Sequence, residues 1–275
     1  MINITPIIDV KRQTNFVERI GSTGSMLASA ANDIWNAVGL VREKTYVPYV
    51  SGNQPQGVTM YISCDNNAAT QKIYVCGLDG NGHFIDEEIY LEGWIKKPLQ
   101  KLYFRIFDAI NTEDAITPAE VPDAKNIVYV YRNSAVVEGK PSTLSAIEAI
   151  ISSTAAYSLS QSQMTHITVP YNMNGYVTNI MGSVNFEVAE TRAIFYLMIS
   201  PAGRTIPITQ SFFWRDLKVF SLNTSGTSVI DIKEDGRSNP GLYIAPGTDI
   251  VMKAVVGAAA HIVTGSFTIR LEQII

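Results

Sequence analysis

The residues that could carry chemistry are few and scattered along the chain. Asp86 and Glu88 lie two apart in a segment that alternates like a strand, which would place both carboxylates on one face. A carboxylate pair in a groove, roughly 5 to 9.5 Å apart, can hydrolyse glycosidic bonds. Asp231 and Asp249 are the other acids considered for that role. No partner base lies nearby in the sequence, so we expect a solvated face and no enzymatic activity.

Metal and cofactor motifs are weak. The segment Asp79-Gly80-Asn81-Gly82 resembles the start of a calcium loop, but the glycine and glutamate that such a loop needs are replaced by Phe84 and Tyr90. A hairpin tip explains the segment better. The three histidines stand apart from acidic residues and cysteines at ligand spacing; they are His83, His166 and His261. We therefore expect no metal and no cofactor, and no nucleotide or hydrolase motif occurs.

Aromatic residues are the stronger candidates, because flat rings can stack on sugars or fill protein interfaces. The run Phe212-Phe213-Trp214 would point Phe213 to one side of a strand and its neighbours to the other. We expect one side to face a core and the other a neighbouring chain. Trp94 and Trp35 are further candidates for stacking or for an interface.

Composition favours a subunit of an assembly. Of the 275 residues, 46% are hydrophobic and only 17% are charged, so much of the surface must be neutral. The net charge of −4 argues against a nucleic-acid partner. No apolar run is long enough to predict a membrane span, and no signal peptide is recognisable. Cys64 and Cys76 end apolar runs, which predicts free, buried thiols.

Strand-length apolar runs separated by turn signals predict an all-β fold. They recur from Thr165 to Ile275, with Gly, Pro and Asn between them. Two alternating runs also flank the tip at Asp79, which predicts a hairpin. We predict an N-terminal arm (1–50) and two antiparallel, jelly-roll-like β-sandwich units (51–160 and 161–275). The segment "FVERI" could form a helical turn, and Ile34 to Leu40 could form a short helix.

Residues 143–152 fit two structures. Ser145 and Glu148 would form the capping box of a helix, yet "SAIEAII" also fits a strand. Periodicity alone does not separate these alternatives.

The order of several segments resembles a family of bacteriophage virion proteins. The similar segments are "NDIW", "AATQKIYVCGLDGNGHFIDEEIYLEG", "QKLYFRIFDAI", "SQSQMTHITVPYNMNGYVTNIMGSVN" and "GLYIAPGTDIVMKAVVGAAAHIVTGSFTIRLEQII". They cover most of residues 32–275. The resemblance implies a strand at 143–152 and a place in the virus particle, and it brings no catalytic residues. Where members of the family have "VPAGKT", this chain has Val169 to Asn174. The turn therefore differs, and contacts that family members make there are not assumed for this chain.

Together these features predict a structural virion protein that is made in the host cytoplasm and assembles by burying surface. Its expected partners are copies of itself, with a trimer as one closed arrangement, and capsid, neck or tail proteins. Residues 1–50 are the segment expected to be ordered by a neighbour. The alternative is a tail-associated protein that binds a receptor or carbohydrate through the aromatic residues.

Overall fold

The computed structural model describes the chain in twelve stretches. They are residues 14–22, 32–33, 57–112, 127–143, 146–152, 162, 164–185, 192–200, 215–223, 225–231, 241–257 and 262–274. Side chains are described for 57–199 and 217–274 within these stretches, except residues 152, 231 and 262.

These stretches contain nineteen β-strands and no α-helix. The strands are β1 (Thr14–Ser22), β2 (Asn32–Asp33), β3 (Val58–Cys64), β4 (Lys72–Leu78), β5 (Phe84–Tyr90), β6 (Lys97–Tyr103), β7 (Arg105–Asn111), β8 (Ile127–Tyr131), β9 (Val136–Val137), β10 (Lys140–Pro141), β11 (Ile147–Ser152), β12 (His166–Thr168), β13 (Met173–Asn185), β14 (Ala193–Ser200), β15 (Arg215–Leu222), β16 (Gly226–Asp231), β17 (Leu242–Ile244), β18 (Asp249–Val256) and β19 (Ile262–Gln273). The all-β prediction is confirmed, and 147–152 is a strand rather than a helix.

The chain divides into two compact units. The middle unit comprises Asn36–Val47 and Gly52–Met164, and the C-terminal unit comprises Met1–Trp35, Pro48–Ser51 and Thr165–Ile275. The two described strands of the predicted N-terminal arm therefore belong to the C-terminal unit. In particular, β1 pairs with β19 along all nine of its residues. The "FVERI" segment lies within β1, so a helical turn there was the wrong expectation.

The middle unit has two main sheets. One has the order β11-β8-β3-β6 and the other β5-β4-β7, while β9 and β10 form a separate small hairpin. Tyr103 is fully buried, and its hydroxyl donates a hydrogen bond from β6 to the carbonyl of Val75 on β4, 3.4 Å away. This bond links the two sheets through the core.

The predicted hairpin at Asp79 connects β4 and β5. Its tip is held by the Asp79 carboxylate, which accepts the backbone N–H groups of Asn81 (2.8 Å) and His83 (2.9 Å). Gly82 has a φ of 74°, a value that glycine adopts without a Cβ clash. The aspartate thus shapes a turn here, as an Asx residue commonly does.

Side chains close the gap between β5 and β6, which are edge strands of different sheets. The nearly buried Glu87 carboxylate of β5 accepts the backbone N–H groups of Gln100 (2.8 Å) and Lys101 (3.0 Å) on β6. In return, Lys97 and Lys101 donate to the carbonyls of Tyr90 and Asp86 on β5. These bonds occupy backbone groups that an edge strand would otherwise offer to another chain.

The edge strand β7, which lies opposite β5 in the β5-β4-β7 sheet, also has backbone groups occupied by hydrogen bonds. Ser162 donates its backbone N–H to the carbonyl of Ala109 on β7, and its hydroxyl accepts the N–H of the same residue. In the other sheet, Arg132 donates to the buried Glu148 carboxylate of β11 at 2.7 Å. The ion pair satisfies a carboxylate that would be costly to bury alone.

The C-terminal unit also consists of two sheets. One has the order β1-β19-β13-β16 with β17 beside β13, and the other β12-β18-β14-β15 with β2 beside β18. Gly182 of β13 faces the opposite sheet, where a Cβ in its place would meet the rings of Phe220 (2.8 Å) and Phe195 (3.0 Å). These two rings stack with centroids 4.9 Å apart. A glycine is therefore needed for the sheets to approach this closely.

No helix in the described part of the chain is long and apolar enough to cross a membrane.

Candidate functional site

Most of the aromatic candidates from the sequence lie outside the described residues. These are Phe212, Phe213, Trp214 and Trp35. Trp94 is described, and it lies in the turn between β5 and β6 with 40% of its surface exposed.

The indole of Trp94 is held in a fixed position. Its Nε1–H donates to the carbonyl of Asp65 at 3.1 Å. The tip of the β9–β10 hairpin lies against it, since a Cβ on Gly139 would be 3.1 Å from Trp94 Cδ1. Exposed Ile95 follows Trp94 in the chain, and exposed Val137 lies on the same hairpin as Gly139. The result is an ordered apolar projection from the middle unit.

A cation lies over an aromatic ring next to this projection. Lys96 Nζ is 4.1 Å from the centroid of the Tyr61 ring and donates to Asn133 Oδ1 (2.5 Å) and to the Ser134 carbonyl (2.8 Å). Tyr61 stacks in turn on buried Tyr131, with centroids 6.2 Å apart. The Lys96 ammonium thus already has hydrogen-bond and cation–π partners within the chain, and a ligand would have to displace them.

Cys64 and Asp65 lie beneath the indole but are poorly suited to catalysis. Burial raises the pKa of the Cys64 thiol to about 11, so it is protonated at neutral pH and is a poor nucleophile. Burial also raises the pKa of the Asp65 carboxyl, whose Oδ1 accepts the N–H of Ile127 at 2.6 Å. Cys76 is likewise buried, and neither cysteine forms a disulfide, as predicted.

The predicted carboxylate pair lies on one sheet face of the middle unit, which we call the acidic face. Its members are Lys72, Tyr74, Asp86, Glu88, Tyr90 and Asp108, and the strand register places them on the outer side of β4, β5 and β7. Burial, followed by the charges of Cys76, Asp86, Asp108 and Glu88, raises the pKa of the Tyr74 hydroxyl. The sequence analysis missed Asp108, which the pairing of β7 with β4 brings to this face.

Several of these acids already have partners. Glu88 pairs with Lys72, and Asp108 accepts the Ser162 hydroxyl at 2.6 Å. The other carboxylates lie in the C-terminal unit: Asp249 is 2% exposed and accepts the Thr168 hydroxyl at 2.5 Å, whereas the side chain of Asp231 lies outside the described residues. Glu88, Asp108 and Asp249 therefore serve as structural hydrogen-bond and ion-pair partners.

The described histidines are also separated. His83 is half exposed beside Asp79, with 3.8 Å between Nδ1 and Oδ2, while His166 is buried on β12 of the other unit. His261 lies outside the described residues. Within the described part, no group of three or more metal-ligating side chains is suited to hold an ion.

The outer sheet face of the C-terminal unit is a different kind of surface, which we call the tyrosine face. The strand register brings its members together from β13, β16, β17 and β19. They are Asn174, Tyr176, Met181, Ser183, Thr227, Val229, Tyr243, Thr264, Thr268, Arg270 and Glu272. Tyr243 and Val229 are 53% and 59% exposed. Among its described side chains, Arg270 and Glu272 are charged, and the register also places Glu18 of β1 opposite Thr268 and Asp231 of β16 opposite Asn179.

Contacts between its members order the tyrosine face. The rings of Tyr176 and Tyr243 are 5.7 Å apart, and the Arg270 guanidinium lies 4.8 Å over Tyr176. Arg270 also pairs with Glu272 at 3.2 Å, and the Tyr243 hydroxyl donates to Asn174 Oδ1 at 3.2 Å. Tyrosine and arginine are enriched at protein interfaces, so this arrangement suits binding to another protein.

The sequence did not predict the tyrosine face, although the last strand contains part of the pattern that indicates it. The alternation in "SFTIRLEQ" places Thr268, Arg270 and Glu272 on the side opposite Phe267, Ile269 and Leu271. The positions of Tyr176 and Tyr243 beside Arg270 depend on which strands pair, and the sequence alone does not specify those pairs.

Comparison of the chain with protein-family models, with curated proteins and with solved structures finds no match.

Proposed function

We propose that this chain is a non-enzymatic structural component of a bacteriophage virion, which assembles by burying surface against itself and against capsid, neck or tail proteins. The tyrosine face is the observation that carries the proposal. Its exposed Tyr243 and Val229 lie among hydroxyl and amide side chains, so it can be desolvated at modest cost. The resemblance of the sequence to virion proteins supports the setting.

The roles of the described polar residues support a structural function. Glu87, Glu148 and Asp249 are buried, and each has hydrogen-bond partners within its own unit. The Cys64 thiol is held protonated by its raised pKa. These side chains stabilise strands and edges, whereas a catalytic pair would need an accessible acid and base beside a substrate.

The test is to look for the chain in particles of the virus that encodes it. Particles purified by density gradient would be analysed by mass spectrometry, and the chain would then be located in the particle by electron microscopy. We expect a fixed number of copies per particle at a symmetric position in the head, neck or tail. Particles that retain infectivity and contain no trace of the chain would refute the proposal.

A second candidate function is binding of a receptor or carbohydrate at a tail, and Trp94 favours it. Its exposed indole is fixed by the bond to Asp65 and flanked by Ile95, so a sugar ring could stack on it without reordering the site. Glycan-array binding that is lost in Trp94→Ala and kept in Tyr90→Ala would support this function. Tyr90 is a suitable control because it is 54% exposed.

A further inference from the structure

We propose that the N-terminal strand β1 is exchanged between copies of this chain, so that β1 of one copy pairs with β19 of another. The inference rests on the proposed function in one respect, since it names a contact by which the chain would bind itself. It commits to a second copy because the site that β1 occupies is defined by the register of this chain's own β19.

The position of β1 at a sheet edge makes the exchange possible. Within the described part of the chain β1 pairs with β19 alone, and the order β1-β19-β13-β16 means that it can leave without breaking the pairing of β19 with β13. The ladder runs from Thr14 opposite Glu272 to Ser22 opposite Thr264. A β19 edge without β1 would present a row of backbone N–H and C=O groups, which β1 of a second copy fits in the same register.

The ladder between β1 and β19 depends little on apolar contacts of β1 with the core. On β19 the core side of the sheet is marked by Phe267, Ile269 and Leu271, which are at most 5% exposed. Opposite residues of an antiparallel pair share a sheet face, and the register sets Arg19 against the first of these and Asn15 against the last. Two of the three β1 positions on this side are therefore polar, so backbone hydrogen bonds are the main contribution, and pairing between copies restores them.

The second strand of the N-terminal arm follows the same pattern. β2 pairs with Lys253 and Ala254 of β18, on the side of β18 away from β14. Residues 34–57 connect β2 to β3, and these 24 residues can span at most about 80 Å. This length permits the arm to reach a neighbouring copy. Exchange of a terminal strand is a low-cost route to an oligomer, because the contacts between copies are the same as those within one chain.

Variants with one added cysteine test the exchange, because Glu18 of β1 lies opposite Thr268 of β19. Opposite residues of antiparallel strands are about 4.5 to 5.5 Å apart between Cα atoms, a distance that a disulfide spans. Glu18→Cys and Thr268→Cys would be co-expressed as full chains with different tags and then oxidised. We expect a disulfide-linked heterodimer, detected by non-reducing electrophoresis and by mass spectrometry of the linked peptide.

A second pair controls for contact between any two accessible thiols. Val229 lies on β16, which β13 separates from β19, so Glu18→Cys and Val229→Cys should give no heterodimer. A double variant with both Glu18→Cys and Thr268→Cys shows whether these two thiols can be oxidised to each other. If the double variant forms its disulfide while the co-expressed single variants give no heterodimer, the proposal is overturned.

A charged substitution on β1 keeps the test decisive if the added cysteines do not react. Val17 lies opposite buried Ile269, so Val17→Asp should weaken the ladder and lower the self-association of the full chain at least about tenfold. Val219→Asp is the control, since Val219 is exposed on β15 of the other sheet. Sedimentation velocity measures association, and thermal unfolding shows that each variant is folded. Association of both variants equal to that of the wild type would overturn the proposal.

The outcomes separate this inference from the proposed function. If the chain is found in virus particles but the cysteines at positions 18 and 268 join only within one chain there, the exchange is refuted and the structural role stands. If copies exchange β1 but infectious particles contain no trace of the chain, the proposed function fails and the exchange stands. A wild type that is a monomer at about 100-fold the concentration expected for a micromolar dimer would also refute the exchange.

Discussion

The acidic face of the middle unit and the tyrosine face of the C-terminal unit are both outer surfaces of antiparallel sheets, yet their chemistry differs. The acidic face carries Asp86, Glu88 and Asp108 around Tyr74, with Lys72 as the cation paired to Glu88. A second copy brought against it would set carboxylates against carboxylates. The described side chains of the tyrosine face are mostly aromatic, aliphatic and hydroxyl groups around the Arg270–Glu272 pair.

The sheet edges of the middle unit, like the acidic face, are poorly suited to binding another chain. Glu87 accepts two backbone N–H groups of β6, whereas Ser162 accepts the N–H of Ala109 on β7 and donates its own N–H to the Ala109 carbonyl. A sheet whose edges and faces are occupied in this way resists adventitious strand addition. The comparison fits the proposed function, in which the C-terminal unit rather than the middle unit would carry the assembly contact.

The largest expected effect comes from removing the edge closure. Glu87→Ala leaves the N–H groups of Gln100 and Lys101 without their acceptor, which should lower the free energy of unfolding by roughly 2 to 4 kcal/mol. Glu88→Ala is the matched control, because the exposed pair with Lys72 should contribute about 1 kcal/mol or less. Urea denaturation measures both, and equal effects would show that Glu87 does not close the edge.

The sheet packing of the C-terminal unit should be nearly as sensitive. Gly182→Ala places a methyl group 2.8 Å from the Phe220 ring, and such overpacking should cost roughly 1 to 3 kcal/mol. Gly257→Ala is the control, since its Cβ would be 3.7 Å from the nearest atom. A neutral Gly182→Ala in thermal unfolding would mean that the two sheets separate easily.

Alkaline pH should destabilise the chain through Cys64. The thiol's pKa is raised from 9.0 to about 11 in the folded state, so its contribution is fully present below pH 9 and is lost as the pH rises to 11. In Cys64→Ala, the unfolding free energy should fall less across this range, and the difference from the wild type should be at most about 3 kcal/mol. An identical alkaline decline in both proteins would show that the thiol is not the cause.

The smallest effect is a gain in stability at the β9–β10 hairpin. Glu138 has a φ of 49°, and Gly139 follows with 74°. Two-residue turns of this kind prefer Asn-Gly, so Glu138→Asn should stabilise the chain by about 0.5 kcal/mol. Glu138→Ala should give no such gain, because alanine does not tolerate the left-handed region better than glutamate. Chemical denaturation would distinguish the two variants.

Much of the fold follows from local sequence patterns. The alternation in "KIYVCGL" and "FIDEEIY" and the Asx-Gly turn between them specify a hairpin, because short-range hydrogen bonds and strand period act together there. The strand at Ile147–Ser152 was ambiguous from periodicity, and its pairing with β8 makes it a strand. That pairing is a tertiary interaction, which local propensity does not contain.

The tyrosine face was harder to predict from the sequence than the fold. Single aromatic residues such as Trp94 stand out in a sequence, so Trp94 was identified as a candidate. Tyr176 and Tyr243 lie 67 positions apart, and they meet because β17 pairs with β13. A functional surface that depends on pairing between distant strands becomes visible when the sheet order is known.

Hydroxyl-radical footprinting tests the division between the two units most directly, because Tyr243 and Tyr90 are matched reporters. They are 53% and 54% exposed and lie on the tyrosine face and the acidic face respectively. As protein concentration rises and the chain associates, oxidation of Tyr243 should fall while oxidation of Tyr90 stays constant. Protection of Tyr90 with unchanged Tyr243, or equal oxidation of both at every concentration, would contradict the assignment of assembly to the C-terminal unit.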